Sequence, residues 1–232
     1  YDEHSAVTAG RYTTARTLAP EMRVGALRMR DVAMQIIPDG VIAVPGIRAV
    51  GLLGFDFLAE LGVTIDYEHE RVTVVPEPQY VAPAGAPVFA LGVRIGRGVP
   101  MTDVAINGAL SERFLLDTGG GGTFLIFDAF ARKHPEALRD AGGGVKRARR
   151  FRGVGGAFDT QPYEIESVRL GALNFERFVG YRVTSSGSYQ GTDDGVIGAE
   201  FLRLFTLGLD YANSRVYLVP NSDGRKAMGI KA

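Results

Sequence analysis

The chain has no cysteine. That removes a disulfide framework and all thiol chemistry, and it leaves the compartment open. It also has no charge excess: Lys+Arg and Asp+Glu are both 26. A balanced chain is a poor generic binder of nucleic acid or anionic membrane surfaces. No apolar run approaches the roughly 18 residues that a membrane span requires. Histidine is scarce: His4, His69 and His134 are scattered without ligand spacing and read as surface residues, so no metal is implied. The run Gly119–Gly122 is not followed by Lys-Ser or Lys-Thr, and Gly-x-Ser-x-Gly is absent. Neither a phosphate loop nor a serine-hydrolase elbow is supported. No cofactor is implied. The chain starts at Tyr1 without a methionine, and an upstream part, with room for a signal peptide, is expected to belong to the natural protein.

What is present is apolar and rich in glycine. Hydrophobic residues make up 46%, enough for a sizeable core without cross-links, and there are 31 glycines. Frequent glycine marks turns and close backbone approaches, as in all-β folds.

The strongest signal is an internal repeat. Gly51–Pro76 (GLLGFDFLAELGVTIDYEHERVTVVP) aligns without a gap with Gly195–Pro220 (GVIGAEFLRLFTLGLDYANSRVYLVP). Identities include Gly51/Gly195, Gly54/Gly198, Phe57/Phe201, Asp66/Asp210, Tyr67/Tyr211, Arg71/Arg215 and Pro76/Pro220. Upstream, with the spacing changed by two residues, Arg23-Val24-Gly25-Ala26-Leu27 answers Arg169-Leu170-Gly171-Ala172-Leu173, and Gly10 answers Gly156. Two copies of one unit are expected. Between them Pro76, Pro78, Pro83 and Pro87 cannot enter an interior strand or helix. The expected division is 1–76 for the later part of lobe one, 77–87 for a proline-rich linker and 88–232 for lobe two.

Lobe two reads mainly as strands: Val88–Ile95, Met101–Ile106, Ala109–Leu116, Glu164–Arg169 and Phe175–Val183. Asn107-Gly108 between alternating segments predicts a type I′ hairpin turn. Helices are predicted over Phe124–Ala141 and near Ala199–Leu204, and a last hairpin turns at Ala212-Asn213-Ser214. The recurring Asp66/Asp210 and Tyr67/Tyr211 begin hairpin turns and read as structural, far in sequence from Asp117. Asp193-Asp194 reads as an exposed loop pair. Lys146, Arg147, Arg149, Arg150 and Arg152 read as a solvated hairpin arm, with a preference for acidic substrate residues as the minority reading.

Asp117-Thr118-Gly119 follows the apolar strand end Phe114-Leu115-Leu116. Alone the tripeptide is a weak motif, and a turn-capping aspartate would account for it. Its surroundings are more specific. INGALSERFLLDTGGGGTFL resembles the active-site hairpin and loop of retropepsin-like and pepsin-like aspartic peptidases. Gly153-Val154-Gly155-Gly156 resembles their flap tip. Gly195-Val196-Ile197-Gly198 resembles the apolar-apolar-Gly element before their C-terminal helix, and it recurs as Gly51-Leu52-Leu53-Gly54. The order is the family's. Two departures stand out: Gly120-Gly121-Gly122 occupies the place of the family's Ala or Ser, and the first flap, Val7-Thr8-Ala9-Gly10-Arg11, is less glycine-rich.

The resemblance implies an all-β fold of two related β-barrel lobes with short helices, the first incomplete. It implies an aspartic endopeptidase acting on peptide or protein substrates, with no metal or cofactor. Asp117 would be catalytic, with Thr118 bonding across to the other lobe and Gly119 donating its N–H. Val154, Gly155, Gly156, Ala9 and Gly10 would cover the substrate as flaps. The partner aspartate would lie about 29 residues ahead of Tyr1 by the repeat alignment, or come from a second chain; the presence of a second lobe argues against the latter. Two carboxylates that share a site cannot both ionise, so one takes the water's proton while the other donates to the carbonyl. The rival reading is an inactive relative that binds peptides or a protein partner in the same cleft. Alanine- and arginine-rich usage with few lysines points to a GC-rich bacterial source, with a periplasmic or secreted location preferred.

Overall fold

A computed structural model describes residues 2–6, 10–37, 49–77, 79–85, 87–96, 99–140, 148–153, 156–184 and 193–230. The fold is all-β with short helices. In chain order come β1 (Asp2–Ala6), β2 (Gly10–Val24), β3 (Leu27–Ile36), α1 (Phe55–Leu58), β4 (Leu61–Asp66) and β5 (Arg71–Pro76). Then follow β6 (Phe89–Gly92), β7 (Arg94–Gly96), β8 (Val99–Ile106), β9 (Ala109–Leu116), β10 (Phe124–Ile126), α2 (Asp128–Lys133) and a 3₁₀ turn (Pro135–Ala137). The chain closes with β11 (Arg139–Asp140), β12 (Arg150–Gly153), β13 (Gly156–Leu170), β14 (Leu173–Val183), β15 (Gly195–Ile197), α3 (Ala199–Leu202), β16 (Phe205–Asp210), β17 (Arg215–Pro220) and α4 (Ser222–Ala227).

The repeat is visible in the strands. β2 and β13 start at the equivalent glycines Gly10 and Gly156 and end at the equivalent Val24 and Leu170. Each turns through a left-handed glycine, Gly25 or Gly171, into the next strand. In the second copy the strands run β13-β14-β10-β15-β9-β8 by hydrogen bonding. β8 then meets β13 again through Ile106–Val168 and Ala105–Arg169, which joins the ends of that run. In the first copy β1-β2-β3 form a separate three-stranded sheet.

The copies meet in a five-stranded sheet, β5-β4-β16-β17-β6. Across the β4–β16 pair Gly62 faces Asp210, the copy of Asp66, and Asp66 faces Thr206, the copy of Gly62. At the centre Thr64 faces its own copy, Gly208. A local two-fold axis therefore passes through the Thr64–Gly208 pair and relates the two halves of the repeat. The proline-rich segment crosses this sheet. A Cβ at Gly62 would lie 2.1 Å from the Tyr80 ring, and one at Gly208 2.6 Å from Pro83. Glycine is required at both positions because only a bare backbone lets the segment lie that close.

Several expected elements hold. β9 has the expected bounds, and Asn107 and Gly108 both have positive φ, as a type I′ turn demands. The Asn107 side chain also bridges outward, donating to Ala137 O at 2.7 Å and accepting from Ser167 N at 3.0 Å. Others need correction. Phe124–Ala141 is not one helix. Phe124, Leu125 and Ile126 are all buried and form β10, flanked by β14 and β15. A strand covered on both faces reads as a continuous apolar run, which sequence periodicity cannot tell from a helix. Pro135 then helps divide the rest into α2 and the 3₁₀ turn; Ala141 lies outside the described residues. Val88–Ile95 is likewise not one strand. It breaks at Val93, with β6 going to the five-stranded sheet and β7 to the barrel run.

Candidate active site

β9 ends at Leu116, and Asp117 N donates to Ile197 O at 3.1 Å, extending the β9–β15 ladder by one bond. The chain then arches over Gly198. A Cβ there would meet Gly122 O at 2.6 Å, Gly121 O at 2.8 Å and Gly120 O at 2.9 Å. The first turn of a helix has N–H groups without intrahelical partners, and α3 has no side-chain cap. Its donors go to the arch instead: Ala199 N to Gly120 O at 2.7 Å and Glu200 N to Gly122 O at 3.0 Å. Gly198 N donates to Thr123 O at 2.8 Å, and Thr123 Oγ1 donates to Val179 O at 2.5 Å. The Asp117 loop is thus held from below by α3 and from the side by β14.

The glycine run has a steric reason. A Cβ at Gly120 would lie 2.9 Å from Asp117 Oδ2; at Gly121 it would lie 2.9 Å from the Phe151 ring. Gly122 has φ +82°, a left-handed conformation that favours glycine. The run is therefore packed and bonded on both sides.

Gly119 N donates to Asp117 Oδ1 at 2.9 Å. Asp117 has exposed surface, yet it stands in a concavity walled by apolar side chains. Loss of surrounding water pushes its carboxyl pKa up, and the backbone N–H groups of Gly119 and Gly120 pull it part of the way back. Asp117 and Thr118 line a cavity of ≈ 350 Å³ together with Leu52, Gly54 and Phe55 of the first copy and Tyr211 of the second. Burial and then the Asp117 charge push the Tyr211 phenol up to about 12. Tyr67, its copy, is raised by the same two causes. The two tyrosines are far from Asp117 in sequence but close enough to feel its charge. Asp66 and Asp210 do cap their turns: Asp210 Oδ1 accepts from Asn213 Nδ2 at 2.8 Å, and Asp66 Oδ1 from His69 N at 3.1 Å.

Of the expected flap residues, Gly156 opens β13 and Gly10 opens β2. Val154, Gly155 and Ala9 lie outside the described residues. β12 and β13 pair from Arg150–Asp159 to Gly153–Gly156. Asp193-Asp194 is buried rather than exposed. Asp194 accepts from Ser111 Oγ at 2.8 Å and pairs with Lys133 Nζ at 2.9 Å, and Asp193 lies 3.7 Å from Arg113. These partners come from β9 and α2, so sequence neighbours could not reveal them. In the basic arm Arg150 is exposed and 3.6 Å from Asp159, while Arg149 forks onto Glu200 at 2.8 and 3.1 Å. Lys146 and Arg147 lie outside the described residues. Among the described residues no three histidine, aspartate or glutamate side chains gather to hold a metal ion, and no helix is long and apolar enough to cross a membrane.

Residues 102–201 match the family model described as aspartyl protease. Two solved structures are similar to the chain. One is a retropepsin-like aspartic protease from Rickettsia conorii, with 16% identity and TM-score 0.40, covering 58% of this chain and 100% of that one. The other is an aspartic proteinase from Irpex lacteus, with 13% identity and TM-score 0.48, covering 98% of this chain and 84% of that one. No curated protein matches the sequence significantly. The matched segment carries Asp117, residues 153–156 and Gly195–Gly198, and over it this chain is similar to the aspartyl proteases.

Proposed function

We propose that the protein is an aspartic endopeptidase in which Asp117 is one of two catalytic carboxylates, the second coming from outside residues 1–232. The observation that carries this reading is the position of Asp117 at a cavity shared by both copies. Its charge is felt by Tyr67 and by Tyr211, which the repeat makes equivalent. A carboxylate that both halves of a two-fold repeat can sense is well sited for a partner related to it by that two-fold.

The chemistry follows from the pair. One carboxylate, ionised, takes a proton from a bound water; the other, protonated, donates to the scissile carbonyl oxygen. Each proton has a place to go, and the two pKa values belong to the pair. Thr118, at the rim of the shared cavity, is suited to bond across to the other lobe. An extended peptide would lie over Asp117, with its backbone against the hairpins near Gly155–Gly156 and Ala9–Gly10. The working division is 1–76, 77–87 and 88–232.

The test is hydrolysis by the protein with its natural upstream segment. Cleavage of a peptide library should be strongest at mildly acidic pH and blocked by a statyl-type transition-state mimic. Asp117→Asn should abolish it; retention of more than about a tenth of kcat/KM, or about 1.4 kcal/mol in barrier, removes Asp117 from the chemistry. Residues 1–232 alone should be inactive. A clean monomer of these residues that cuts peptides in an Asp117-dependent way would overturn the two-carboxylate reading. Peptide binding without cleavage in the longer protein would favour the inactive-relative reading.

A further inference from the structure

Two side chains at the start of β12 rest on the Asp117 loop and its support. The Phe151 ring lies against Gly121 and Gly122, where a Cβ would approach it to 2.9 and 3.2 Å. It is held there by Phe158, stacked at 5.7 Å between centroids, and by Tyr181, edge-on at 5.3 Å. The Arg149 guanidinium grips both carboxylate oxygens of Glu200 and lies over the Phe151 and Tyr181 rings at 4.8 and 5.3 Å. Glu200 is the residue whose N–H holds Gly122 O. On the arm side, Arg149 O accepts from both Thr160 N and Thr160 Oγ1, at 3.1 and 2.8 Å.

One line of contacts therefore runs from β13 through Arg149 to α3 and the glycine arch, and a second runs from β12 through Phe151 directly onto the arch. In the first copy the β1–β2 register puts Asp2 opposite Thr14, as Arg149 lies opposite Thr160, and the repeat puts Asp56 at the place of Glu200, so the sequence does not repeat the Arg149–Glu200 pair there.

We propose that Arg149 and Phe151 are positioning residues that clamp the β12–β13 strand pair to the Asp117 loop, so that the placement of the pair and the hydrogen bonding of the Asp117 carboxylate are set together. Glu200 completes the clamp. An ammonium cannot replace the planar fork, so Arg149→Lys should behave as a broken clamp rather than a conservative change. For its consequence in catalysis the inference rests on the reading of Asp117 as a reacting carboxylate; the coupling itself does not.

The test reads amide exchange and the titration of the Asp117 carboxyl carbon by NMR in the full 232-residue chain. Glu200→Gln removes the charge with little change of shape, and Phe151→Leu opens the packing with the fork intact. Each should speed exchange at Thr160 N and at Gly119 N and Gly120 N together. Each should also raise the Asp117 midpoint, as the two loop N–H groups that favour its anion shift away. Faster exchange confined to Thr160 and its neighbours, with the loop amides and the Asp117 titration unchanged, would overturn the proposal in favour of a purely local strut. If Glu200→Gln does not fold, Phe151→Leu decides alone. Neither readout needs hydrolysis. Coupling in these residues, with no hydrolysis by the protein that carries its natural upstream segment, would count against the peptidase reading and leave the clamp standing.

Discussion

Gly51-Leu52-Leu53-Gly54 and Gly195-Val196-Ile197-Gly198 are one element written twice, in opposite surroundings. In the second copy the element is β15, hydrogen-bonded to β9 on one side and β10 on the other, with Val196 2% and Ile197 0% exposed. In the first copy it forms no strand, and Leu52 and Leu53 are 65% and 51% exposed. The glycines repeat the contrast. Gly195 and Gly198 have no room for a Cβ, whereas nothing among the described residues lies within 4 Å of one at Gly51 or Gly54. The same sequence keeps its small-large-large-small pattern where nothing described here fills the space around it. The pattern encodes a fit to neighbours, and the second copy shows what those neighbours look like: two strands and the loop that carries an aspartate.

The largest expected effect breaks this contrast at the glycines. Gly198→Ala drives a methyl into three backbone carbonyls that are already hydrogen-bonded. It should cost about 3–5 kcal/mol, or prevent folding, by denaturant titration. Gly54→Ala in residues 1–232 should stay within about 0.5 kcal/mol of the parent. If Gly54 gains the penalty of Gly198 in a longer chain that carries the covering strands, the comparison is sharpened; equal costs in the 232-residue chain would break it.

Next come the apolar pairs. Ile197→Ala removes a fully buried side chain from between β9 and β10 and should cost about 2–5 kcal/mol. Leu53→Ala, its counterpart, should change stability by about 0.5 kcal/mol or less. Urea unfolding of the two variants side by side checks this.

The smallest effect concerns charge. Asp117 has a folded pKa raised above its unfolded value, so its ionised form costs stability. The cost is absent below the ordinary carboxylate range, begins as pH rises through about 4 and is complete above the raised value. Asp117→Asn should therefore raise the thermal midpoint at neutral pH, with the gain closing on acidification. A gain that persists unchanged at acid pH would mean that the raised pKa is not its source.

Much of this was legible in the chain. The repeat, the Asn107-Gly108 turn and the Asp117 loop after an apolar strand all rest on short-range geometry that a few consecutive residues specify. The Phe124-Leu125-Ile126 strand was not legible, because burial on both faces erases the alternation that marks a strand. Nor was the reason for Gly120–Gly122, which lies in a ring delivered by Phe151 and a helix delivered by Ala199 and Glu200.

The sequence by itself determined that the chain is a duplicated all-β protein with one Asp-Thr-Gly loop, because turn chemistry, strand alternation and repetition are local properties. Only the tertiary structure decided that Asp193 and Asp194 are buried, that Tyr211 lies near Asp117, and that one copy's apolar element is covered while the other's is open. Burial and electrostatic environment are set by residues distant in the chain, and no window along it contains them.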